Sequence, residues 1–414
     1  MRFLIVTQYF WPENFRVNDL AGALVARGHH VTVLTGQPNY PDGRIFDAFR
    51  AKPGAFLQHH GAEIVRVPLL ARRRGSLRLV LNYASFVVTG ATLGAWRLRG
   101  RAFDVVFVYQ PSPISSCLPA LLLGRLKRAP VVLWTLDLWP ETLQAIGVIT
   151  SPRILRQVGR MVSFIYQRCA LILGQSRGFS ANVVRYSGDA VKFRYFPQWS
   201  ESLFDGSETA ASGAPEVKPF DGLFNVLFAG NIGDAQDFPS ILDAAERLRH
   251  RTDIRWLIVG DGRAAGWVRD EIARRNLGDH VILLGRHPIE RMPEFFKAAS
   301  ALLVTLKKDA VFALTIPGKV QTYLAAGKPV LGMLDGEGAR VINDAGAGLT
   351  CASGDAAMLA TLVERLAATN VHDRSAMGDR GRVYAAQEFD RDVLLKQLET
   401  WIADLHPARH GAVS

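Results

Sequence analysis

Lys307-Lys308-Asp309-Ala310-Val311-Phe312-Ala313-Leu314-Thr315-Ile316-Pro317-Gly318-Lys319-Val320-Gln321-Thr322-Tyr323-Leu324-Ala325-Ala326-Gly327-Lys328-Pro329-Val330 is the stretch on which the fold turns. The apolar run Leu302–Thr305 before it reads as a strand that gives way to a polar loop. Pro317 suits the first turn of a helix, where its missing N–H costs nothing. Gly327-Lys328-Pro329 then stops that helix and launches a strand over Val330–Met333. Strand, helix and strand with continuous apolar runs form the unit of a parallel sheet covered on both faces.

The same alternation extends to either side. Upstream come strands Asn225–Ala229, Trp256–Val259 and Val281–Leu284, with helices over Pro239–His250, Trp267–Arg275 and Pro293–Ala299. The first half repeats the scheme with strands Phe3–Thr7, Val31–Thr35, Ile64–Val67, Val105–Tyr109, Val131–Trp134 and Leu171–Gly174. Its helical stretches are Val17–Arg27, Leu77–Arg99, Ile114–Leu126, Ile154–Arg168 and Ser176–Tyr186. From Trp199 the composition turns to Ser, Gly, Ala and acid, which is linker chemistry. The expected fold class is α/β, with two Rossmann-like doubly wound domains. Residues 1–198 form the first, 199–222 the linker and 223–385 the second. Residues 386–414 carry a last helix, Val393–Leu405, able to cross back to the first domain.

A chain of 414 residues, 49% hydrophobic and 21% charged, is globular and long enough for two cores, which excludes disordered and fibrous classes. Its three cysteines, Cys117, Cys169 and Cys351, are far apart and in no metal-ligand spacing, so no disulfide or zinc site is expected. No secretory signal is read in the first residues, and the expected location is cytoplasmic. The net charge of +11 is unevenly placed. Residues 1–197 carry 25 Lys and Arg against 9 Asp and Glu, or +16, and the remainder is −5. That asymmetry suits an anionic partner for the first half, or serves solubility alone.

Ligands bind open α/β sheets at the carboxyl ends of strands, so the glycines there are informative. Gly230-Asn231-Ile232-Gly233 follows one expected strand and Gly260-Asp261-Gly262 the next. Each also reads as an ordinary tight turn. The helix start near Pro317, with Lys319 beside it and Lys307 in the preceding loop, makes a plausible pyrophosphate seat. In the first half, Asp137 and Glu141 follow a buried strand, where a carboxylate orients or deprotonates a hydroxyl or caps a turn. Glu13, Asn14 and Arg16 lie in the loop after the first strand and are candidates for substrate contact. Arg72-Arg73-Arg74 and Arg78 precede an apolar helix to Trp96, and Arg97, Arg99 and Arg101 follow it. Such an element docks on anionic lipid or packs as a core helix with solvated arginines; Leu79–Trp96 is near spanning length but holds Asn82, Ser85, Thr89 and Thr92, which count against a span.

These motifs resemble retaining glycosyltransferase family four, of GT-B fold, in its bacterial O-antigen and colanic-acid type. The likeness is greatest to the N-acetyl-L-fucosamine transferase subgroup. It rests on Gly230-Asn231-Ile232-Gly233-Asp234-Ala235-Gln236-Asp237, on Thr315 through Gly327, and on Asp335-Gly336-Glu337-Gly338. In the first half it rests on Gln8 through Arg16, Gln37 through Gly43, and Asp137-Leu138-Trp139-Pro140-Glu141, and it spans about Met1 to Trp401. The resemblance implies two domains facing a cleft, with Asp137 and Glu141 beside it. It also implies a UDP-sugar donor in the second domain, a lipid-diphosphate-linked glycan acceptor and the anionic inner face of the cytoplasmic membrane at the first, with no metal, cofactor or nucleic acid. The family's paired glutamates align with Leu314 and Thr322, its basic residue near the first donor loop is replaced by Asn231 and Gln236, and its His-Asp pair by Leu136-Asp137. Phosphate recognition therefore falls to Lys319, Lys307 or Arg286, and Thr322 is left to meet the ribose. Two other functions stay open: a sugar-nucleotide 2-epimerase of the same architecture, and a non-catalytic protein that binds anionic surfaces.

Overall fold

The computed structural model describes the chain apart from residues 42, 73–75, 201–212 and 407–414, so Arg73, Arg74 and half of the expected linker lie outside the described residues. The chain divides into two compact units, Met1–Phe196 with Val393–Ser414, and Pro197–Asp392.

The first unit is built on strands β1 (Arg2–Val6), β2 (His30–Gly36), β3 (Gln58–His59), β4 (Ala62–Val67), β5 (Val105–Gln110), β6 (Val131–Thr135), β7 (Leu171–Gly174) and β8 (Phe193–Tyr195). They form one sheet in the order β3-β4-β2-β1-β5-β6-β7-β8. All neighbours are parallel except β3, which runs antiparallel to β4. Without β3 the order is that of a doubly wound sheet, reversing between β1 and β5. Phe3, Leu4, Ile5 and Val6 are all fully buried, as a strand covered on both faces requires. Each such side chain contributes about 1.5–3 kcal/mol through burial.

The second unit repeats the design with β9 (Phe224–Ala229), β10 (Ile254–Val259), β11 (Val281–Gly285), β12 (Ala301–Thr305), β13 (Val330–Met333) and β14 (Gly348–Cys351). The order β11-β10-β9-β12-β13-β14 is wholly parallel and reverses between β9 and β12. Those two strands pair only at Ala301↔Val226 and Leu302↔Leu227, so they part toward their carboxyl ends. That gap is where such sheets receive ligands.

Several details depart from the sequence reading. The expected helix over Leu77–Arg99 is a helix over Ser76–Thr89, a π-turn over Gly90–Gly94 and a short helix over Ala95–Arg97. The interruption falls where a β-carbon on Gly90 would lie 3.2 Å from Pro119 and one on Gly94 3.0 Å from Leu34, so close packing sets it. Pro317 is the residue that caps the helix Gly318–Ala325, one step before its first turn. The loop before it carries a further short helix, Ala310–Ala313, whose Val311 N–H donates to the Asp309 carboxylate at 2.7 Å. Trp199, at the start of the expected linker, is buried.

The last helix, Arg391–Asp404, carries Glu399 to residues of the first unit. Arg27 donates twice to Glu399 at 2.8 Å, and the His29 ring meets the same carboxylate at 2.7 Å. Its own Leu394, Leu395, Leu398 and Ile402 are buried.

Candidate functional site

At the gap in the second sheet, the loops after β9, β10 and β11 stay tied beyond their strands. Gly230 N–H donates to Val259 O at 2.8 Å, Ile232 N–H to Asp261 O at 2.9 Å and Gly260 N–H to Gly285 O at 2.7 Å. The backbones approach so closely that a β-carbon on Gly260 would fall 1.9 Å from Gly230 O, and one on Gly262 2.3 Å from Ile232 O. Glycine is required at both places for lack of room. From the other side of the gap, Lys307 N–H donates to Ala235 O at 2.9 Å, and the Thr305 hydroxyl donates to Gln236 O.

The helix Gly318–Ala325 is fixed to this gap by Tyr323. The Ala229 N–H donates to the buried Tyr323 hydroxyl at 3.0 Å, and that hydroxyl donates to Ala229 O at 3.3 Å. One turn earlier, Lys319 runs past Gly230 and sets its ammonium 3.5 Å from the centre of the Phe228 ring. Burial pushes the Lys319 pKa down to about 7. No carboxylate among the described residues pairs with it, so an anion arriving here meets an unneutralised cation beside the helix start.

Gly230, Asn231, Gly233, Gln236, Pro317 and Lys319 therefore lie around one gap. The Asn231 amide donates to Gln236 at 3.5 Å, and both are exposed or half-buried. Asp261 is exposed and accepts from its neighbour Gly262 N–H at 2.7 Å. The Thr322 hydroxyl donates back to Gly318 O at 3.2 Å, keeping its lone pairs free. The Lys307 side chain is exposed at the rim. Arg286 follows β11, two strands from β9 and about 10 Å along the sheet at usual strand spacing, which sets it apart from the other cations. Sequence reasoning passed over Tyr323 and Phe228, which look like ordinary core residues until the helix is docked.

In the first unit, the three candidate carboxylates have different surroundings. Glu13 is buried, and its oxygens accept from the backbone N–H groups of Phe10 at 3.2 Å, Asn39 at 2.8 Å and Tyr40 at 2.7 Å. Burial raises its pKa to about 7 against those three donors. These bonds join the loops after β1 and β2 through the Glu13 carboxylate. Asp137 follows β6, and burial raises it to about 6, with the Thr142 and Trp139 side chains pulling the other way. Burial raises the Tyr83 hydroxyl pKa, with Arg72 pulling it down and the Asp137 charge adding to the rise. Glu141 accepts from the Tyr186 hydroxyl at 2.8 Å and has one buried oxygen without a partner. It lines a separate cavity of about 750 Å³ with Arg156, Arg160 and Arg185.

Comparison with known proteins agrees with this layout. Residues 224–369 match the family model for glycosyl transferases group 1, and residues 14–199 match a glycosyl transferase 4-like domain. With both units so matched, the chain is a glycosyltransferase of GT-B fold. It is 27% identical over 323 residues to the probable glycosyltransferase WbjE of Pseudomonas aeruginosa, covering 74% of this chain and 76% of that protein. It is 25% identical over 344 residues to WcaI, a putative colanic acid biosynthesis glycosyl transferase of Escherichia coli K12, covering 79% and 82%. Among solved structures, Anabaena Alr3699/HepE in complex with UDP and glucose superposes with a TM-score of 0.70 at 15% identity, covering 98% of this chain and all of that one. WaaG, a glycosyltransferase involved in lipopolysaccharide biosynthesis, gives 0.65 at 16% identity over 97% of this chain and 99% of its own.

Proposed function

We propose that this glycosyltransferase moves a sugar from a UDP-sugar to a lipid-diphosphate-linked glycan in the synthesis of a bacterial surface polysaccharide, with retention at the anomeric carbon. The observation that carries the donor assignment is the Lys319 ammonium, without a carboxylate partner at the gap between β9 and β12. In the reaction the bond from the sugar C1 to the β-phosphate oxygen breaks and a bond to the acceptor oxygen forms. Negative charge grows on the leaving diphosphate, where Lys319 and the N–H groups at Gly318 stabilise it. Asp137 is the candidate to take the acceptor proton, because burial places its pKa at about 6. In this mechanism these groups carry the diphosphate charge without a metal or cofactor.

Features of the first unit support the acceptor and the location. The helical run Arg78–Arg97 has a mean hydropathy of 1.3 with 22% of it buried, so length and composition alone would let it cross a membrane. Val80, Val88 and Trp96 on it are each 60% exposed, with Arg97 and Arg99 at its end. We read it as lying on the anionic inner face of the cytoplasmic membrane, apolar side down. The colanic acid and lipopolysaccharide roles printed for WcaI and WaaG support the polysaccharide assignment, and the UDP complex of HepE supports the donor.

The test is transfer from a panel of UDP- and GDP-sugars to a lipid-diphosphate sugar, comparing the natural protein with Lys319→Ala. Transfer from a UDP-sugar, lost in the variant, is expected. Transfer from GDP-sugars only, or full activity in the variant, would overturn the donor assignment.

A further inference from the structure

The first unit contains a second cavity, of about 690 Å³, that the donor chemistry does not use. One wall is the helix Ser76–Thr89, through Val80, Ala84, Val87 and Val88, and another is the segment carrying Ile146, Val148 and Ile149. The loops after β1 and β5 complete it, so it occupies the switch point of the first sheet.

Its polarity is divided. Polar groups gather in one cluster. Tyr9 and Tyr40 have rings 5.4 Å apart, Arg72 lies 5.9 Å from the Tyr40 ring, and Tyr83 and Ser112 line the same cavity. Apart from Ser115 the remaining lining is apolar and continues to the surface, where Val80 is 60%, Val88 60%, Ile146 52% and Val148 57% exposed. A sugar would gain nothing from such a rim, and a closed core would not leave four large aliphatic side chains in water. A cation with hydroxyls at one end and an apolar trough at the other is complementary to an anionic amphiphile.

We infer that this cavity holds the hydrocarbon chain of the lipid-diphosphate acceptor, with a phosphate at Arg72 and the tyrosine hydroxyls and the first part of the chain along Ala84, Val87 and Ile149. The inference rests on the acceptor reading above and adds the place and the chemical selectivity. The chain is recognised by the protein and not merely left in the bilayer. A cavity of finite size then imposes a limit. Each buried methylene tightens binding about three- to fourfold until the cavity is full, and further length adds little.

The test measures binding of single-chain alkyl and prenyl diphosphates of increasing length, below their aggregation concentrations, to the full chain. Affinity is expected to rise with length and then level off. Ala84→Trp, which fills the trough from an exposed helical position, is expected to flatten that rise and weaken the longest ligand tenfold or more. Arg72→Ala is expected to weaken every length by a similar factor. As a check that needs no variant, a diphosphate with a benzophenone on its chain should label the helix Ser76–Thr89. A wild-type affinity indifferent to length, a rise that survives Ala84→Trp, labelling confined to other segments, or equal competition by two-chain phospholipids would each overturn the inference. Transfer to a lipid-diphosphate sugar measured on the same samples separates the cases: no transfer to any such acceptor refutes the acceptor reading, whereas transfer with no dependence of binding on chain length refutes this inference alone.

Discussion

The side chain of Lys319 lies directly across Gly230, so a β-carbon at residue 230 would stand 2.6 Å from its Cε and 3.1 Å from its Nζ. The backbone of Gly230 is also in a conformation that only glycine adopts readily, at φ +136°. Gly230→Ala is therefore expected to displace the ammonium from its seat over Phe228. Isothermal titration with UDP should show affinity reduced at least tenfold, approaching that of Lys319→Ala. Unchanged affinity would remove Lys319 from the diphosphate site.

The Lys319 pKa of about 7 makes donor binding depend on pH. A bound diphosphate favours the charged amine, so its pKa rises in the complex and a proton is taken up on binding. Affinity for UDP should fall as pH rises from 7 to 9, by up to about tenfold per unit. The fall should be absent in Lys319→Ala. A flat profile in the natural protein would mean that the amine is already charged across this range.

Tyr323→Phe keeps the ring, 5.5 Å from Phe296, but removes the hydroxyl that meets both polar groups of Ala229. A buried N–H left without its acceptor costs about 1–3 kcal/mol. Denaturant unfolding should show that loss in the second unit, and the donor KM should rise because the Gly230 loop is no longer registered to the helix. Loss of stability without a change in KM would make Tyr323 a packing residue only.

Asp137→Asn tests the proton acceptor. With its pKa at about 6, kcat/KM should rise with pH through that value and level above it. The variant should lose about 10²–10⁴ in kcat and the acidic limb with it. Activity within a few-fold of the natural protein would leave Asp137 a turn-capping role.

Glu13 is expected to show itself in stability. Its folded pKa of about 7 lies above the ordinary 4.5, so the folded state binds the proton more tightly. Its contribution is full below about pH 4.5 and is lost as pH rises through 7, so the unfolding midpoint should decline over that window. In Glu13→Gln the decline attributable to this group should vanish. Overall stability should be lower by about 1–3 kcal/mol, because an amide nitrogen then faces a backbone N–H. An unchanged decline would assign the pH dependence to other groups.

Much of this molecule is legible along the chain. Continuous apolar runs such as Phe3 to Val6 and Leu302 to Val304 can only be strands covered on both faces, and their alternation with helices fixes parallel sheets. Strands β3, β8 and β14 escape that reading because Gln58-His59 is polar, Phe193–Tyr195 is only three residues long, and Gly348-Leu349-Thr350-Cys351 has a single aliphatic side chain. The π-turn at Gly90–Gly94 escapes it too, since its cause is the nearness of Pro119 and Leu34, residues far along the chain.

The chemistry divides in the same way. The sequence alone determines which residue types are available at each strand end: the glycines after β9 and β10, Lys319 at a helix start, and carboxylates after β1 and β6. Only the tertiary structure decides what each meets. It commits Glu13 to three backbone donors, sets Glu141 in a different cavity from the Tyr83 cluster, and places Lys319 over Phe228. The physical reason is the crossover order of the sheets. Parting β9 from β12 opens a gap into which one helix is pinned by the Tyr323 hydroxyl, and no local pattern in the chain encodes that meeting.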